Sequence, residues 1–154
     1  GGRLILLLGL IFLASAIFGA LLFSAAVVAR IAVSNLDESS AADFLRPFWT
    51  TYHRTALFCT AILSIAMIIG GNFLAPTSPD LTIATTLSVA MSFCFFVGLR
   101  LIPKINDARD VGDATTFDLL HRIDIFLVSS GLLINLVVVS ALFRNLGKFV
   151  ALPH

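Results

Sequence analysis

The chain has 154 residues, 58% of them hydrophobic and 12% charged, and its mean hydropathy of +1.02 lies far above that of a soluble domain. A formal net charge of +1 leaves no basic field for nucleic acid, and two cysteines build neither a disulfide framework nor a four-thiolate metal site. What remains is a protein whose main partner is the lipid bilayer.

Four apolar runs, about residues 4–28, 51–74, 81–102 and 123–143, are each long enough to cross a hydrocarbon layer of roughly 30 Å as a helix. They predict an all-α fold, a four-helix transmembrane bundle of two antiparallel helix pairs forming a single integral membrane domain over residues 1–154. In the first run, Leu13-Ala14-Ser15-Ala16 faintly resembles a signal-peptidase site. Hydrophobicity continues to Val28, so the run reads as an uncleaved signal-anchor helix. Small residues lie four apart at Ala16, Ala20 and Ser24 and at Ser15 and Gly19, spacing that lets a neighbouring backbone approach closely. Packing within the chain is the expectation for both sets.

In the first connection, residues 31–50, Ser39 or Ser40 is predicted to cap a short turn, and Pro47 suits the first turn of the next helix. Phe44, Phe48, Trp49 and Tyr52 gather where an aromatic belt meets the headgroups. Along the second run, His53, Thr60 and Ser64 share one helical face. Cys59 here and Cys94 in the third run read as small packing residues. The turn APTSPD, residues 75–80, makes helices two and three a hairpin, with Asp80 as the expected cap. Ser88 and Ser92 repeat the small-residue spacing in the third run. The polar connection PKINDARDVGDATT, residues 103–116, leads into Thr115-x-x-Asp118, a capping box with Asp in place of Glu or Gln.

In the fourth run, His121, Asp124, Val128, Gly131 and Asn135 fall on one face, which should look inward. Ionisable groups at the edge of a span pair or snorkel, so these residues predict a structural polar clasp. His121 and Asp124 hydrogen-bond at three residues' separation, Asp124 reaches Arg54, Arg100 or His53, and Asp118 pairs with Arg122 along the outer side. The alternative is that His53 and His121, at similar depths, hold a metal, a b-type haem or a quinone. No Cys-x-x-Cys, His-Glu-x-x-His or phosphate-binding glycine loop adds to that signal, and no cofactor or metal is expected.

Lys and Arg set the orientation. Arg30, Arg46 and Arg54 flank the first connection and Arg100, Lys104, Arg109 and Arg122 the third, while Arg3, Arg144 and Lys148 lie toward the termini. The two basic connections are expected in the cytoplasm of a bacterial cell, or the matrix in an organellar inner membrane, with both termini on the other side.

The segment Ile105-Asn106-Asp107-Ala108-Arg109-Asp110, followed by Phe117-x-x-Leu120-His121-Arg122 and preceded by a PFWTTYHR entry to helix two, resembles the transmembrane protein 205-like family, a domain of unknown function numbered 4149. The resemblance covers roughly residues 10–143 and implies a small multi-pass membrane protein without implying a reaction. The expected role is a non-catalytic accessory subunit packed against other membrane-protein subunits of a larger complex, most plausibly an energy-transducing one, respiratory or photosynthetic. The alternatives are a membrane oxidoreductase or quinone-binding protein using His53 and His121, and a small transporter. The transporter reading calls for broken helices or paired midplane charges, which the sequence does not display.

Overall fold

A computed structural model describes residues 1–74 and 78–151. They form four helices: α1 (Gly2–Asn35), α2 (Glu38–Leu74), α3 (Pro79–Asp110) and α4 (Ala114–Ala151). Each contains a stretch long and apolar enough to cross a membrane. α1 packs on α2 and α4, and α3 packs on the same two, so the helices form a ring in which α1 faces α3, and α2 faces α4, across the diagonals. The expected four-helix bundle with antiparallel neighbours is the observed architecture.

The helices overrun the predicted spans. Residues 31–50 were expected to be a connection, yet α1 continues to Asn35 and α2 begins at Glu38. Asp37 caps it, accepting Ser40 N–H at 3.0 Å and Ser40 Oγ–H at 2.7 Å, so neither Ser39 nor Ser40 is the cap. α2 then passes through Pro47, which lies nine residues inside the helix rather than in its first turn. Pro103 is likewise inside α3, which runs on to Asp110 and stops where Gly112 takes φ +72°, a conformation open to glycine. Ser78, not Asp80, caps α3, with Pro79 in its first position. Asp113 caps α4 by accepting Thr116 N–H at 3.0 Å, displacing the predicted Thr115–Asp118 box. In each case an Asp or Ser two or three residues earlier takes the free N–H groups, because the helix starts earlier than its apolar stretch.

Lipid tails are as apolar as leucine, so close packing rather than exclusion of water holds such helices together. In the half near the termini the centre of the bundle is filled. Leu7, Leu10 and Ala14 of α1, Leu63 and Met67 of α2, Ala84 and Met91 of α3, and Val138, Ala141 and Leu142 of α4 are all buried. Asn135, with its amide oriented to satisfy both groups, donates to Ala14 O at 3.3 Å and accepts from Phe18 N–H at 3.2 Å, joining α4 to the backbone of α1. Asp80 at the start of α3 holds Lys148 (2.5 Å) and Arg144 (3.3 Å) of α4.

The small-residue expectation divides. Ser88 is fully buried, and Ser92 meets Ser64 of α2 at 3.2 Å. Ser15, Ala16, Gly19 and Ala20 instead face outward, and a Cβ placed on Gly19 would meet nothing within 4 Å. α1 turns Leu7, Leu10, Ala14, Ile17 and Leu21 inward, so its small face is the opposite one, and Ser24 is half-buried.

Candidate functional site: a cavity with a buried acid

At the basic end the helices separate around a cavity of about 890 Å³. Its walls come from Leu22 to Leu36 of α1, Glu38 to Trp49 of α2, Ile102 to Arg109 of α3 and Phe117 to Leu132 of α4. The middle of the wall on α1 is made of small side chains, Ala25, Ala26 and Ala29, between Leu22 and the larger Arg30, Val33 and Leu36. Here α1 departs from the α pattern: Ser24–Val28 is a π turn in which Ala29 N–H bonds Ser24 O, five residues back. A π turn removes carbonyls from the regular ladder, and Tyr52 Oη of α2 donates to Leu21 O at 3.2 Å beside it. The tyrosine therefore fastens α1 where its register changes and its wall becomes thin.

Asp124 lines the cavity and is 6% exposed; behind it lies His53, fully buried. Asp124 Oδ1 and His53 Nε2 are 2.9 Å apart, joining α2 and α4 across the bundle. Asp124 Oδ1 and Nε2 are close without forming an aligned hydrogen bond, and neither atom has another polar partner among the described residues. The other ring nitrogen, Nδ1, is 2.9 Å from Trp49 O. A carbonyl can only accept, so Nδ1 carries a proton. One further proton then suffices for the pair: on Asp124 both groups are neutral, on His53 they form an ion pair, and the net charge is zero either way.

Two glycines make room for this arrangement. A Cβ on Gly98 of α3 would sit 2.5 Å from His53 Cδ2, 2.6 Å from Nε2 and 3.1 Å from Asp124 Oδ1. A Cβ on Gly131 of α4 would sit 2.9 Å from Phe95 Cζ. Phe95 is buried, with its ring centroid 6.3 Å from those of both His53 and Tyr52. It closes the interior beneath the pair. Phe44, Phe48, Trp49 and Tyr52 form a file of touching rings from the exposed Phe44 to the buried Tyr52. The expected belt thus leads inward.

Compared with family models, with curated proteins and with solved structures, the chain finds no match. The site must be read from its own geometry.

Of the predicted clasp, Asp124 is buried and its partner is His53, one of the three candidates. Arg54 and Arg100 are exposed, and neither pairs with Asp124 among the described residues. His121 is exposed and stacks on Phe117 at 5.5 Å instead of bonding Asp124. Asp118 and Arg122 are exposed and form no ion pair within 4.0 Å. The reason is length: α4 begins at Ala114, so His121 lies in a turn that projects beyond the packed interior, which starts at Asp124. His53 and His121 are therefore not brought together, and both nitrogens of His53 already face other groups. Among the described residues no three of His, Cys, Asp and Glu cluster as metal ligands would.

Sequence reasoning overlooked Gly98, the π turn and the alanine wall. The run Ser24-Ala25-Ala26-Val27-Val28-Ala29 was the available signal, since small side chains near the end of a span widen the gap to the neighbouring helix.

Proposed function

We propose that the protein is a membrane-embedded binding protein for an amphipathic molecule of the bilayer, which lies in the cavity at the basic end. The observation that supports this most is the cavity itself. Its volume of about 890 Å³ is at the upper end of the range for small-molecule sites, and its walls are mainly apolar with a few convergent polar groups, Asp124 among them. Along α4 it extends from Phe117 to Leu132, which at 1.5 Å per residue is about 22 Å, long enough for an extended chain. The Asp124–His53 pair offers such a ligand a proton donor or acceptor without any change in net charge. Binding is the role; no bond is made or broken. On the same footing we place the basic connections in the cytoplasm and hold the resemblance to the transmembrane protein 205-like family as support for a small multi-pass membrane protein.

A photoactivatable diazirine on an acyl chain tests the reading. Labelling should concentrate on the lining residues Leu22, Ala29, Val33, Ile125, Val128 and Leu132 and fall when Ala26→Phe fills the space. Labelling confined to outward residues such as Phe12, Ile62 and Phe126 would contradict it.

A second reading, the accessory subunit, is favoured by the outward small-residue face of α1 at Ser15, Ala16, Gly19 and Ala20, where another membrane helix could approach closely. Co-purification of a partner that is lost in Gly19→Leu would support it, and the two readings are compatible.

A further inference from the structure

We infer that the occupant of the cavity is an anionic amphiphile, a chain-bearing molecule with a phosphate or carboxylate head held at the rim. The inference rests on the binding reading above and adds the charge of the ligand. Five charged or titratable side chains line the cavity toward the basic end: Arg30, Glu38, Arg46, Arg109 and His121. Arg46 is neutralised by a two-point contact with Asp110 of α3. Arg30 and Arg109 have no ion-pair partner within 4.0 Å among the described residues, so that, with Asp110 shared between Arg46 and the nearby Arg109, the lining cations outnumber the carboxylates around them. Arg109 lies 6.0 Å from the centroid of Phe117, the ring on which His121 also stacks, so one aromatic ring carries both a guanidinium and an imidazole at the cavity edge. Asp124 is the carboxylate in the deeper part, about one helical turn below His121, with His53 against it. The cavity therefore runs from a cationic rim past a neutral polar pair into an apolar slot. A neutral amphiphile would leave the rim charges unmatched. A free anion would leave the slot unmatched.

Trp49 is the chain's one tryptophan and lines the cavity, so its fluorescence reports occupancy. The full-length chain is reconstituted in phosphatidylcholine vesicles and titrated with chain-brominated phosphatidylglycerol, phosphatidylcholine or diacylglycerol. Quenching of Trp49 by the phosphatidylglycerol should begin at a mole fraction several-fold lower than with the other two. Arg30→Gln and Arg109→Gln should each reduce that preference about fivefold, the contribution of one basic residue near an anionic surface. Lys104→Gln, an exposed charge on α3 outside the cavity, should leave it unchanged. Equal quenching by all three lipids that is abolished in Ala26→Phe would overturn the anionic head while leaving the binding reading intact. Quenching unaltered by Ala26→Phe would overturn both. Displacement of the phosphatidylglycerol by millimolar inorganic phosphate would show that the rim takes free anions, and would overturn the amphiphile.

Discussion

Near the termini, Leu7, Leu10, Leu63, Met67, Val138 and Leu142 fill the centre of the bundle; near the basic connections, the same α1 offers Ala25, Ala26 and Ala29, and the centre stays open. The polar groups differ in the same sense. At the termini end the charges are peripheral, with Asp80 gathering Arg144 and Lys148 from exposed positions, whereas at the basic end a carboxylate and an imidazole lie inside. A membrane bundle has no hydrophobic force to close a gap between helices, because lipid fills it without loss. Side-chain volume alone therefore decides which half is packed and which can receive a ligand.

The strongest way to break this contrast is at the crossing of the buried pair. Gly98→Val should cost about 4 kcal/mol, since its side chain would both overpack the site and push His53 from Asp124. Gly19→Val, in open space, should be almost silent in the same thermal unfolding series in detergent. Equal effects at the two glycines would show that the basic half is not tightly built around the pair.

Next in size is the pair itself. Asp124→Leu or His53→Leu alone should lose about 3 kcal/mol, because the remaining buried polar group is stranded. The double variant should recover much of that loss. Additive losses would mean that the two residues act separately. Arg54→Gln and Arg100→Gln, on exposed faces, should leave the melting temperature unchanged.

The smallest effect sharpens the comparison at the edge of the cavity. Hydrogen bonds from Thr116, side chain and then backbone, hold the Asp113 carboxyl below its ordinary value of 3.8. A depressed pKa stabilises the folded cap above the ordinary value, and that contribution disappears as the pH falls through the lower folded value. Amide exchange at Thr116 and Phe117, corrected for its intrinsic pH dependence, should therefore quicken relative to mid-helix amides as the pH is lowered past 3.8, and Asp113→Asn should remove this dependence. An unchanged ratio in the parent would show that the cap does not hold the start of α4.

Much of the architecture was legible because it depends on long averages. Four apolar runs gave four helices, and the 3.6-residue period placed His53, Thr60 and Ser64, and Asp124, Val128, Gly131 and Asn135, on faces that are buried, although His121, expected at the head of the second face, is exposed. Helix ends were misjudged because polar residues in a helix that continues past its apolar stretch resemble a loop, as at Glu38 to Thr50 and Pro103 to Asp110. The partner of Asp124 was narrowed to three candidates but not chosen, since spacing along one helix does not say which neighbour lies opposite. Gly98 carries no periodic signal at all; its role is visible only when His53 and Asp124 are seen to cross it. The small face of α1 was misassigned for a related reason: close-approach spacing describes a possible contact, and the neighbours that α1 has lie on its leucine face.

One half of the bundle is filled and the other open, and a matched pair of substitutions on α1 measures that difference directly. Ala14 is fully buried in the filled half, and Ala26 lines the cavity. In lipid-depleted detergent, Ala14→Phe should lower stability by about 3 kcal/mol, as overpacking does, while Ala26→Phe should leave it unchanged or raise it slightly. A loss at Ala26→Phe as large as that at Ala14→Phe would mean that the basic half is packed as tightly as the other, leaving no space for a ligand.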